Sequence, residues 1–270
     1  GGQPMREKEK KERKLLRTRV YTSLLLVLLA LVAVTAATVA WFSIADKTKV
    51  NTMGMNVTGD PDLRIDLDPH GTMEEYVKTL SFEDIAARIQ TERGFSMKDT
   101  PLEPVTTADE EVFTYENGAA VSDTSGAYLT FTLHFMAEKD MLVHLTSADS
   151  ESGAGDGTAV LSETDGLAES MRISFSVDGQ TWVYDPGMGD AREAVQGASV
   201  FGLPGAAAMQ LTERNALFSL LAGKDQAVLV HVWMEGTDSA CTDELRAADY
   251  SIRLRFTGET TESSTEKESG

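Results

Sequence analysis

The sequence predicts a mainly β protein: an antiparallel, jelly-roll-like β-sandwich with a few inserted short helices, preceded by an N-terminal hydrophobic helix. Three observations predict it. Apolar and polar residues alternate with period two in several segments after residue 125, helical periodicity is confined to short stretches, and one uncharged apolar run stands near the start. The chain has 270 residues, 41% of them hydrophobic, which is enough to bury a substantial core.

The apolar run sets the compartment. No charged side chain lies between Arg19 and Asp46, and the centre reads Leu24-Leu25-Leu26-Val27-Leu28-Leu29. A spanning helix needs roughly 20 such residues, so residues 20–45 are long enough to cross a bilayer. Residues 1–19 hold eight Lys/Arg against three Glu, a flank that the positive-inside rule keeps in the cytoplasm. Trp41 and Phe42 then fall at the outer interface, with everything after them outside. That outer part carries 16 of the 24 basic residues and 40 of the 43 acidic ones. A net charge of −19 excludes a nucleic-acid binder, because phosphate backbones need Lys and Arg. Small residues gather at the outer end of the run. Thr38 and Ala40 fit the two small-residue positions before a signal-peptidase cut that leaves Trp41 as the mature N-terminus. The alternative is a retained anchor, since the run exceeds the roughly 7–15 residues of an ordinary signal core. A signal peptidase and the membrane are the partners expected here.

The elements follow in order. Lys47–Val57 begins polar, then alternates Met53, Met55 and Val57 with Gly54 and Asn56, as a strand does. Leu63–Leu67 is a short strand candidate. Thr72 with Glu75 and Ser81 with Asp84 form two capping boxes. After the second, Phe82, Ile85, Ala86 and Ile89 share one helical face, and Gly94 ends that helix. Leu129, Phe131, Leu133 and Phe135 face one way in a strand whose other face is Thr130, Thr132 and His134. Asp140–Leu145 is a further short strand. Met171, Ile173, Phe175 and Val177 alternate with Arg172, Ser174 and Ser176, and Asp178-Gly179 signals a tight hairpin into Gln180–Tyr184. Gly187–Gly189 reads as a loop, and Ala206–Ala222 as a short helix stopped by Gly223. Ala227–Met234 is apolar on both faces and predicts a central strand. Ile252, Leu254 and Phe256 alternate with Ser251, Arg253 and Arg255 in the last strand. The Thr/Ser/Glu-rich tail from 259 is expected to be disordered. The domain boundaries are therefore 1–19, 20–45, 46–258 and 259–270. The one cysteine, Cys241, has no partner for an intramolecular disulfide and reads as a buried thiol.

The segment Ala37-Thr38-Val39-Ala40-Trp41-Phe42-Ser43, followed by Asn51-Thr52-Met53, resembles the exported camelysin and TasA-type proteins of Gram-positive bacteria, which carry a SipW-type signal peptide. A second segment, Val232-Trp233-Met234-Glu235-Gly236-Thr237-Asp238 with Cys241, is similar to a Trp-x-Glu-Gly-x-Asp stretch of related surface proteins. The resemblance implies a jelly-roll β-sandwich exported to the cell surface or biofilm matrix. It also implies subunits that polymerise by donating an N-terminal strand. Met53, Met55 and Val57 are the candidate donor positions; the alternative is that this strand pairs inside its own domain. In the second segment, Trp233 is expected to fill the core edge and Gly236 to let the chain turn off the central strand.

Catalytic chemistry finds little support. Some camelysin relatives carry a metallopeptidase label, but no His-Glu-x-x-His is present, and His70, His134, His144 and His231 lie far apart in sequence. There is no nucleophile elbow, phosphate loop or dinucleotide fingerprint. No enzyme, no metal site and no cofactor are expected. Calcium is a lesser reading for two acidic stretches, Asp149/Glu151/Asp156 and Glu235/Asp238/Asp243/Glu244, neither of which has EF-hand spacing. The leading functional expectation is an exported surface or matrix protein that assembles with its own kind. The alternatives are a membrane-anchored extracellular binding module and, more weakly, a camelysin-like metallopeptidase.

Overall fold

A computed structural model describes residues 49–59, 63–186 and 216–261. The chain divides into two units, residues 1–46 and 47–270, and every described residue belongs to the second. The basic flank, the apolar run and the processing residues Thr38, Ala40 and Trp41 lie outside the described residues. So do Gly187–Gly189 and most of the 206–222 segment. No described helix is long and apolar enough to cross a membrane.

The described chain is mainly β, and its strands form two sheets. In the first, the order is β11 (Phe218–Leu220), β7 (Met141–Leu145), β13 (Asp249–Thr260), β1 (Lys49–Gly59) and β3 (Thr79–Leu80), with β8 (Ala159–Ser162) also on β13. In the second, β10 (Gln180–Tyr184) pairs with β9 (Met171–Val177), and β9 pairs with β12 (Gln226–Glu235). The other edge of β12 is shared. β6 (Leu129–Met136) takes Gln226–Val232 and leads on to β2 (Arg64–Asp66), while β4 (Pro104–Thr107) takes Met234–Glu235 and leads on to β5 (Phe113–Thr114).

The period-two runs explain which faces meet. Phe131, Leu133 and Phe135 of β6, Phe175 of β9 and Phe256 of β13 are fully buried. Phe256 stands edge-on to Phe135 and Phe175, with ring centroids 5.0 and 5.7 Å apart, so the two sheets bury their apolar faces against each other. β12 is central, as its two-faced apolar pattern predicts. The Asp178-Gly179 turn joins β9 to β10 with φ of 51° and 74°, the paired positive values of a two-residue hairpin turn.

Two helices are described. α1 (Phe82–Arg93) starts at Ser81, whose hydroxyl accepts from Asp84 N while the Asp84 carboxylate accepts from Ser81 N. It stops at Gly94, in the left-handed region at φ 80°. Phe82, Ile85 and Ile89 face the core. Ser81→Ala is expected to lower stability by about 1 kcal/mol in urea unfolding. The first capping box, at Thr72, starts only a single 3-10 turn, Met73–Glu75. α2 (Leu167–Ser170) is one turn before β9.

Several expectations need correction. The sheets are not wholly antiparallel, because β1 runs parallel to β13 and β4 parallel to β12. The end of the segment read as a helix contains strand β11, paired with β7. The tail does not begin at 259: β13 continues to Thr260, and Thr261 N donates to Asp140 O. Cys241 is partly exposed, packed against the main core.

Trp233 lies elsewhere than expected. It is fully buried, but in a second, smaller cluster on the outer face of the β9–β12–β6 sheet. The excursion from Pro104 to Tyr128 folds over that face, stacking Phe113 on Tyr128 at 4.0 Å and setting Phe113 edge-on to Trp233 at 5.6 Å.

Candidate functional site

The β1 positions and the stretch from Trp233 to Cys241 both lie among the described residues. The β1 set is a strand seated in its own chain. β1 and β13 are parallel neighbours from Lys49↔Asp249 to Gly59↔Gly258. Their register slips at Asn51, the one residue of β1 skipped between Val50↔Tyr250 and Thr52↔Ser251. Without that extra residue, Val50 and Met53 would point to opposite faces; with it, Val50, Met53, Met55 and Val57 are all buried. On its far edge β1 pairs with β3 at Met55 and Asn56, and Val57 N donates to Lys78 O just before β3.

The second set is a polar tie at the end of β12. Glu235 is 2% exposed and its carboxylate is fully engaged. One oxygen accepts from the Trp233 indole N–H at 2.9 Å, and the other accepts from Thr237 N at 3.1 Å and Thr237 Oγ1 at 2.7 Å. Asp238 accepts from Ala240 N and from the Arg172 guanidinium. Arg172 is itself buried in β9. Its Nε lies 3.2 Å from Asp185 Oδ2, and its Nη1 donates to Glu169 O and Met171 O at 2.7 and 2.9 Å. The Trp-x-Glu-Gly-x-Asp stretch therefore pins the exit of β12 to β9 and to the loop after β10. Gly236 donates its N–H to Val105 O, and a Cβ there would meet Pro104 at ordinary contact distance. The turn does not depend on glycine.

In the two acidic stretches, Asp149, Asp156, Glu235 and Asp238 hold internal contacts, while Glu151, Asp243 and Glu244 are exposed. Asp149 Oδ1 accepts from Gly157 N, and Asp156 Oδ1 accepts from Ser150 N and from Arg255, whose guanidinium also holds Ala148 O. Compared with models of known families, with characterised proteins and with solved structures, the chain matches none. The residues themselves must carry the functional argument.

Three polar contacts could not be read from the sequence, which offers His134 and His231 only as isolated histidines and does not single out Glu110. Glu110, at φ 63°, turns its side chain under the Pro104–Tyr128 excursion, where Ser176 Oγ donates to it at 3.3 Å. Burial pushes its carboxyl up to about 7, despite opposing bonds from Thr181 and Ser176. His231 lies on the same outer face, 3.4 Å from Ser174 Oγ, and burial pushes its imidazole down to about 4. Ser174 is completely buried, so no substrate reaches this serine–histidine contact. Finally, His134 on β6 reaches Asp225, and Tyr76 donates to the same carboxylate at 2.7 Å. Only a polar residue punctuating an apolar strand hinted at these positions; each partner comes from a distant segment.

Proposed function

We propose that this chain is an exported cell-surface or matrix protein with a jelly-roll-like body, a structural rather than catalytic component that assembles by exchange of β1 between copies. The placement of β1 carries the reading. It is the first described strand, yet its long parallel partner begins 200 residues later, at Asp249. No local hairpin holds it in place, so a second copy's β1 fits the same slot with the same side chains and the same backbone bonds. The burial of Met53, Met55 and Val57 would then transfer intact between subunits. The basic flank, the apolar run and the Thr38–Trp41 step support export with cleavage. If the helix is retained, the same body becomes a membrane-anchored binding module.

The experiment is peptide complementation. Full-length protein carrying Met53→Asp and Met55→Asp, which disable its own β1, is mixed with a peptide covering residues 47–59. Saturable binding of that peptide, with loss of fibres or oligomers in the variant, is the expected result. A wild-type mature protein that stays monomeric by sedimentation at all concentrations would overturn the exchange reading. Mass spectrometry of the native N-terminus separates the secreted form, starting at Trp41, from the anchored one.

A further inference from the structure

We propose that Asn117 is a site of spontaneous covalent modification. The backbone nitrogen of Gly118 attacks its side-chain amide, and the residue passes through a cyclic imide to aspartate and isoaspartate. Of the four asparagines, Asn51, Asn56, Asn117 and Asn215, it is the one followed by glycine. Glycine matters because a side chain on the following residue crowds the closing ring. Asn117 and Gly118 are both exposed, and beyond the chain neighbours no atom lies within 4 Å of where a Gly118 Cβ would stand.

The fold builds the turn that poises them. Thr114 and Ala120 face each other in an antiparallel bridge, and Tyr115 N donates to Ala119 O at 2.9 Å. Glu116, Asn117 and Gly118 are therefore a three-residue hairpin loop, and Gly118 takes its left-handed position at φ 76°. Asn117 Oδ1 accepts from Ala119 N at 2.9 Å. That bond folds the side chain over the following peptide and draws electron density from Cγ toward Oδ1. The same N–H stabilises the oxyanion that forms as nitrogen adds to Cγ. Gly118 N itself donates to Tyr115 O at 2.8 Å, at an exposed loop tip that opens locally without global unfolding.

The reaction balances with water alone. Gly118 N bonds to Asn117 Cγ as hydroxide takes its proton; the Cγ–Nδ2 bond breaks, and that nitrogen leaves as ammonia after gaining a proton from water. A second water opens the imide. Hydrolysis at Cγ gives aspartate, and hydrolysis at the main-chain carbonyl gives isoaspartate, whose backbone runs through Cβ and Cγ. Either product adds a negative charge beside Glu116. Isoaspartate also lengthens the backbone by one methylene, which a three-residue loop cannot take up and keep its pairing. The loop is the tip of the excursion over Trp233, where Tyr115 and Val121 pack against the buried cluster.

The test incubates the full chain in detergent for weeks at neutral pH, folded and, in a parallel sample, unfolded in urea. Peptide mass spectrometry then follows each asparagine. In the folded protein Asn117 should lose ammonia and then appear as isoaspartate and aspartate, while Asn51 and Asn56 in strand β1 keep their amides. Hydroxylamine should cut the chain after Asn117 while the imide is present. The folded rate should lie within about tenfold of the rate in urea, because only the loop tip has to open. Asn117→Gln, whose longer side chain closes a less favourable ring, should give neither product at that position. A folded rate slower than that limit overturns the proposal, because the turn then shields the residue. Equal conversion at Asn51 and Asn56 overturns it too. Both readouts come from wild-type protein, so they decide the matter even if the variant fails to fold.

Discussion

Replacing Arg172 by methionine is expected to lower the free energy of unfolding by about 3–5 kcal/mol, read as a shift of the urea midpoint at constant slope. Arg172 and Asp185 are almost fully buried and stand 3.2 Å apart, with Asp238 on the other side of the guanidinium. Methionine replaces the volume of the stem but removes the guanidinium that faces the buried Asp185 carboxylate and Asp238. The two carbonyls that Arg172 holds, of Glu169 and Met171, lose their donor as well. A second variant identifies the cause. Arg172→Met combined with Asp185→Asn removes the buried carboxylate charge as well and should recover roughly half of the loss. If the double variant is no more stable than the single one, the loss comes from packing and not from charge.

The second large effect depends on pH. The Glu110 carboxyl, with a usual value of 4.5, is held near 7 by burial, so the folded protein keeps its proton to higher pH than the unfolded chain does. The native state then binds more protons between about 4.5 and 7. Its stability falls as pH rises through that window and levels off above it. His231 acts in the opposite sense. Its imidazole is held down near 4 against 6.5 in the unfolded chain, so the native state binds fewer protons and gains stability as pH rises from 4 to 6.5. In the wild type the two slopes largely cancel between 4.5 and 6.5. Glu110→Gln removes one of them. The variant's stability should therefore climb with pH in that range, and its gap from wild type should widen in its favour by on the order of 2 kcal/mol between pH 4.5 and 7.5. Urea midpoints for both proteins across that range check the expectation; parallel curves would refute it. Hydrogen exchange at Phe113 and Val121 in the covering excursion should report the same trend locally.

Much of the fold can be read from local pattern. The alternation in Leu129–Met136, Met171–Val177 and Ile252–Phe256 names the buried face of three strands, and Asp178-Gly179 names their tightest turn. Ser81, Asp84 and Gly94 mark both ends of α1. Those signals are local: each is written within a dozen residues. The parallel seating of β1 against β13 is not local, because nothing in Lys49–Gly59 specifies a partner 200 positions away. β3, β4, β5 and β8 are two to four residues long and pair only because longer neighbours present an edge. β11 ends an apolar stretch too short to distinguish three residues of strand from one turn of helix. The tie around Trp233 shows the same boundary. The sequence marks Trp233, Glu235 and Asp238 as a group, but their partners Arg172 and Asp185 lie more than 45 residues upstream. An apolar strand buried on both faces does not say which side its tryptophan takes. The His134–Asp225 contact is hidden for the same reason, since an isolated histidine on a polar face looks like any solvated side chain.

The parallel pairing of β1 with β13 has a mechanical consequence. The chain enters this pair at Lys49, beside Asp249, and leaves it at Thr260, beyond the far end. Tension applied through those two ends pulls the strands along each other rather than peeling them apart. Every rung of the ladder then bears load at once, where an antiparallel hairpin pulled from its open end would give way one rung at a time. For a body held at one end and pulled at the other, that arrangement makes the first and last described strands the clasp that resists rupture.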